Sequence, residues 1–201
     1  MHISEGVLAA PLLIAGAAGA VAGCGIGLKK MDLEKTPKVA VMSSAFFVVS
    51  LIHIPIGPAS AHLMLNGLVG IILGWASFPA LLVALLLQII LFQFGGITTL
   101  GVNTLVTALP AMVCGYLFAR SVRSKNSTRA IIAAFIAGIT GILLSGMLVA
   151  FCLIFTGEHF LPVAKVFIIA HTPVMIIEGV LTALIIGFLR RVRPALIGGI
   201  A

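Results

Sequence analysis

The sequence predicts an all-α integral membrane protein, about seven transmembrane helices packed as a compact bundle, and three observations carry that reading. The 201 residues are 61% hydrophobic and 8% charged, with a mean hydropathy of +1.29, well above what a soluble core of this size requires. Apolar stretches approaching the ~20 residues that cross a hydrocarbon core recur along the whole chain. Nearly all the basic residues fall into three short clusters between those stretches: Lys29, Lys30, Lys35 and Lys38; Arg120, Arg123, Lys125 and Arg129; Arg190, Arg191 and Arg193. Clusters so placed are the positive-inside signature of cytoplasmic loops, so the net charge of +7 points to no nucleic acid.

Taken in order, the apolar spans lie near 8–28, 38–54, 62–75, 79–94, 99–119, 129–156 and 163–190. The third and fourth are short, as expected of tilted, interrupted or re-entrant segments lining a protein-buried cavity. With the basic clusters cytoplasmic, the N-terminus is outside and the C-terminus inside. That parity holds whether 62–94 crosses twice or dips in as a hairpin. The chain reads as a single transmembrane domain over 1–201, a bundle over 8–193 preceded by a short segment over 1–7. Small residues recur at four-residue spacing: Gly19, Gly23 and Gly27; Gly70 and Gly74; Gly179, Ala183 and Gly187. They let helix backbones approach closely, within the bundle or against a partner.

The first span has no basic residue ahead of it, so a cleavable signal peptide is not expected. The bulk of His2 is expected to preserve Met1. A free Met1 amine, the backbone nitrogen of His2 and the His2 imidazole Nδ1 can then close adjacent chelate rings on one divalent ion. Planar nitrogen sites suit Ni²⁺ or Cu²⁺ and tolerate Co²⁺, whereas Mg²⁺ and Ca²⁺ prefer oxygen. A solvated, frayed terminus accounts for the same two residues.

Ionisable and amide side chains at membrane depth are costly, so each is a functional candidate. His62 opens the third span on the side where His2 is expected, and either supplies a fourth nitrogen or caps a helix start. Asn66 follows one turn later and shares its face, where it can orient an imidazole. The run Gln93 to Asn103, with Thr98, Gly95 and Gly96 inside it, forms either a hydrogen-bonded turn or a cavity wall. In the last span His171 and Glu178 lie seven residues apart on one face. Glu178 either neutralises a bound cation or is protonated and hydrogen-bonded to a neighbouring helix. His53, Glu158 and His159 fall near outer loops, where cation attraction and simple solvation are both compatible.

No Gly-Lys pair occurs, so the chain carries no Walker A phosphate loop. His-Glu-x-x-His and Gly-x-Ser-x-Gly are also missing, so an enzyme is not expected, and no catalytic cofactor with it. No fixed-offset repeat supports an inverted-repeat carrier. Cys24, Cys114 and Cys152 are odd in number and sit in apolar stretches, as packing residues do.

Four ordered motifs are similar to the CbiM/NikM family: Met1-His2-x-x-Glu5-Gly6, Ala61-His62-Leu63, Gly95-Gly96-Ile97-Thr98-Thr99-Leu100-Gly101-Val102-Asn103, and His171-Thr172-Pro173 through Glu178-Gly179. The resemblance spans residue 1 to about Arg193. It implies the substrate-capture subunit of an energy-coupling-factor transporter in a prokaryotic cell membrane, taking up Co²⁺ or Ni²⁺ as cargo. It also implies a transmembrane coupling subunit, cytoplasmic ATPase subunits and a small accessory membrane protein as partners. Carried over by motif, the metal ligands are Met1, His2 and His62. Cobalt-type members often carry Ser-His-Pro followed by Thr-Gly, where this chain has Ala61-His62-Leu63 and Asn66-Gly67. A different class of function is an autonomous metal channel or proton-coupled carrier that uses Glu178 and His171.

Overall fold

The structure, a computed structural model, describes residues 3–56, 59–157 and 161–200. Among these it contains α1 (Ala10–Lys29), α2 (Thr36–Ser50), a hairpin of β1 (His53–Ile56) and β2 (Ala59–His62), α3 (Asn66–Leu73), α4 (Ser77–Phe92), α5 (Leu100–Val122), α6 (Ser127–Thr156) and α7 (Leu161–Val192). Single 3-10 turns precede α2, join α3 to α4 and follow α7. The helical bundle agrees with the sequence reading, with the short β1/β2 hairpin as an addition to it. The membrane-grade stretches are Ala10–Lys29, Asn66–Phe92, Leu100–Val122, Ser127–Thr156 and His171–Val192, with Thr36–Ser50 a shorter apolar helix.

Glycine contacts fix the directions of the helices. On α1, Gly16 lies against Val102 and Gly19 against Leu105, so α1 and α5 run parallel. Further along α1, Gly23 meets Phe78 and Gly27 meets Pro79, which places the start of α4 at the end of α1. Ser43 reaches the Ala80 carbonyl and Gln88 reaches Ser50, so α2 and α4 ascend together. Gly70 packs on Ala111 and Gly115 on Gly70 and Gly74, so α3 descends beside α5. On α6, Gly141 abuts Asn66 and Gly138 abuts Glu178, so α6 opposes both α3 and α7. Direction therefore alternates from α1 to α7, and Ala10 and Val192 lie at opposite ends of the bundle. The small residues singled out in the sequence are used largely for this internal packing: a methyl on Gly70 would overlap the Ala111 carbonyl.

Asn66–Phe92 is one apolar stretch in composition but two antiparallel pieces in space. Gly74 turns the chain with φ +56°, a conformation glycine adopts without steric cost. The eight residues of α3 rise about 12 Å, less than half the hydrocarbon thickness. The other half of this crossing is not helical. Where the sequence suggests a second span continuing to residue 54, α2 stops at Ser50, and the chain turns back as the β1/β2 hairpin with His53 opposite His62. Leu63, Met64 and Leu65, between the hairpin and α3, are buried in protein, where backbone without helical hydrogen bonds is tolerated.

One end of the bundle is basic. Arg190 of α7 donates to the carbonyls of Val122 and, at 2.8 Å, Ser124, closing the end of α5, while Arg123 Nε donates to the Ile197 carbonyl at 2.7 Å. Cations on the last carbonyls of a helix satisfy orphan acceptors and complement its dipole.

Candidate metal centre

Two buried polar arrangements stand at the end opposite the basic one and at mid-bundle. The first receives the N-terminal segment. Ile3, 4% exposed, packs in a cluster with Leu8, Val102, Val106, Val149, Cys152 and Leu153. Its N–H donates to Asn103 Oδ1 at 3.0 Å, and its carbonyl accepts from Asn103 Nδ2 at 3.0 Å and from Thr99 Oγ1 at 2.9 Å. Asn103 also donates to Thr99 Oγ1 at 3.2 Å, so the two receptors brace each other. Glu5 lies over Gly96, where any side chain would collide with it, and accepts the Thr98 N–H at 3.1 Å. The Ala9 N–H points to Thr156 Oγ1 at 3.4 Å. The run from Gly95 to Asn103 is thus a receptor for residues 3–5.

The second arrangement holds the re-entrant crossing in place. Glu178, fully buried on α7, accepts the N–H of Met64 and, at 2.9 Å, the N–H of Leu65. Leu65, with φ +51°, is the residue from which α3 starts. A helix start inside a bilayer leaves backbone donors that water cannot reach, and a carboxylate satisfies them while complementing the positive end of the helix dipole. Asn66 is fully buried and donates from Nδ2 to Ser145 Oγ at 2.8 Å.

His62, 5% exposed, places Nδ1 3.1 Å from the Leu63 carbonyl. A carbonyl only accepts, so Nδ1 is the donor in this contact, and in a neutral ring the proton sits there. Ser145, partner of Asn66, and Val149, in the cluster of Ile3, are four residues apart on α6. The cluster that receives Ile3 and the partner of Asn66 thus lie one helical turn apart on α6. Among the described residues Asn66 Oδ1, Thr104 Oγ1 and Thr182 Oγ1 are buried with no hydrogen-bond partner, the kind of group that a water or polar ligand satisfies.

Met1, His2, Glu158 and His159 lie outside the described residues. Among the described residues no three His, Cys, Asp or Glu side chains converge as a metal cluster. His171 is buried on α7, which contacts β2. Gln93 and Thr98 are exposed; Gln93 ends α4 with φ +56°, and Thr98 contributes its amide to Glu5. Ser145 went unnoticed in the sequence, where a lone hydroxyl in an apolar span carries no signal of its partner.

The chain matches the family model for the CbiM cobalt-uptake substrate-specific transmembrane region over residues 2–196. It belongs to the CbiM family. Relatives include a protein of Haemophilus influenzae named for metal transport, 41% identical with 96% of this chain and 95% of that protein aligned. A cobalt transport protein CbiM of Sorangium cellulosum is 30% identical over 96% and 93% of the two chains. A fused nickel transport protein NikMN of Rhodobacter capsulatus is 33% identical over 75% of this chain and 46% of its own length. A crystal structure of a transition metal transporter superposes with a TM-score of 0.76 at 27% identity, covering 96% and 93% of the chains. This CbiM-family chain is accordingly a multi-pass membrane protein of cobalt or nickel uptake.

Proposed function

We propose that the chain is the metal-capturing subunit of an ATP-driven energy-coupling-factor transporter, binding Co²⁺ or Ni²⁺ through the Met1 amine, the His2 amide and imidazole, and His62. The observation that carries this reading is the clamp on Ile3. Asn103 and Thr99 hold both polar backbone groups of the residue next to His2 inside the bundle, so a chelate formed by the first two residues starts from a buried, fixed point. Pre-organisation of this kind lowers the ordering cost of binding.

The basic end faces the cytoplasm by the positive-inside rule, which puts the capture site on the outer side. No phosphate loop occurs in the chain, so ATP hydrolysis belongs to cytoplasmic ATPase subunits reached through a transmembrane coupling subunit, with a small accessory membrane protein completing the assembly. An autonomous carrier built on Glu178 is less well supported, because its carboxylate is already engaged by the Met64 and Leu65 amides.

The test is uptake of radiolabelled Co²⁺ and Ni²⁺ in cells carrying the partner subunits. His2→Gln and His62→Ala are each expected to abolish accumulation at low metal concentration. Wild-type rates in both variants rule out the ligand set. ATP-independent transport by this chain alone in proteoliposomes rules out the capture-subunit role.

A further inference from the structure

At the basic end a cavity of about 910 Å³ opens between the start of α2, the α3–α4 turn and the last turns of α5. Five cations line it, Lys30, Lys35, Lys38, Arg120 and Arg123, and no carboxylate does. Three of these have other work: Lys35 pairs with Asp32, Lys30 lies over the Trp75 ring at 4.8 Å, and Arg123 donates to Ile197. Lys38 and Arg120 form no ion pair among the described residues. Beside the cavity runs a groove of about 700 Å³ between α2, α3 and α7, and the two spaces share Lys35, Lys38 and Ile72. Beyond its charged mouth, where Glu34 also sits, the groove is apolar, walled by Met42, Ala45, Val49, Leu68 and Leu189 among others. On α2 the wall runs from Lys38 to Val49, a rise of about 16 Å, long enough for most of an acyl chain.

We infer that this corner is a binding site for one anionic phospholipid, with its phosphate among the cations at Lys38 and Arg120 and one acyl chain in the groove between α2 and α7. Charge alone would suit an acidic protein segment equally. The order of features along the bundle favours lipid: a cluster of cations at the membrane end, then a purely apolar trough running toward the membrane centre. Basic pockets between transmembrane helices hold lipid phosphates by this same combination. The inference stands independently of the metal site at the other end.

The experiment is native mass spectrometry of the full detergent-purified chain with equal amounts of dioleoyl-phosphatidylglycerol and dioleoyl-phosphatidylcholine, and separately with glycerol 3-phosphate. The wild type is expected to prefer phosphatidylglycerol at least tenfold and to retain no glycerol 3-phosphate. The double variant Lys38→Ala/Arg120→Ala should lose about thirtyfold in affinity for the anionic lipid, while Lys125→Ala/Arg129→Ala is unchanged. Ala45→Trp, which fills the groove without altering charge, should also expel the lipid. Equal binding of the two lipids, an unaltered preference in Lys38→Ala/Arg120→Ala, or unchanged binding in Ala45→Trp overturns the inference. Glycerol 3-phosphate bound as tightly as lipid would make this a free-anion site and overturn it too, as would exclusion of lipid by a partner subunit seated in the groove of the assembled transporter.

Discussion

The side-chain amide of Asn103 mirrors the peptide group of Ile3, accepting its N–H and donating to its carbonyl, both at 3.0 Å, as two paired backbone strands do. One α5 side chain thereby fixes a segment one hundred residues away in sequence, next to the proposed ligands.

Asn103→Leu should therefore uncouple the N-terminal segment without unfolding the bundle. Leaving the buried Ile3 N–H and C=O short of partners costs about 2 kcal/mol. The expected outcome is a modest drop in thermal stability in detergent together with at least a tenfold loss of metal affinity, read by titration calorimetry. Asn103→Asp keeps the acceptor but not the donor and should fall between wild type and Asn103→Leu.

Glu178 has a different task, and its variants should separate from those of Asn103. Glu178→Ala strands two buried amides at the start of α3 and should destabilise the fold by about 3 kcal/mol, seen as a lowered melting temperature even without metal. Glu178→Gln keeps a carbonyl oxygen for the Met64 and Leu65 amides and should recover most of that loss. Metal uptake by Glu178→Gln near the wild-type level would also argue against a proton relay through this carboxyl.

The parts of this molecule legible in the sequence are those that local physics determines. Apolar length and basic clusters locate α1, α5, α6 and α7, and the alternation of direction follows from them. The hairpin from His53 to His62 is not read from the sequence, because Val48 through Ile56 is apolar apart from Ser50 and His53, and Glu178, which takes the Met64 and Leu65 amides after it, is distant in sequence. The same distance hid the Ile3 receptor: Thr99 and Asn103 read as turn residues until the segment they bind is placed against them. Gln93 and Thr98 lie in the run that reads equally as a turn or a cavity wall. Both are exposed, and Gln93 ends α4 with φ +56°, as a turn residue does.

Proton competition gives the capture site a definite pH dependence. Binding requires a deprotonated amine, ordinarily near 7.7–8.0, displacement of the His2 amide proton, and neutral imidazoles, ordinarily near 6.5. Between those values each ion bound releases about two protons, so affinity rises with pH, about a hundredfold per unit. Below about pH 6.5 the protonating imidazoles steepen the loss. Calorimetric titrations in buffers of differing ionisation enthalpy at pH 7 should count about two protons released; none released would exclude an amine and amide among the ligands.

The most direct test is an optical titration of the purified chain with Ni²⁺. Four nitrogens in a plane impose low-spin d⁸ nickel. A yellow, diamagnetic complex should form at one ion per chain, and it should be lost in both His2→Gln and His62→Ala. A pale green, paramagnetic complex, or a planar spectrum that survives both substitutions, would contradict capture by Met1, His2 and His62.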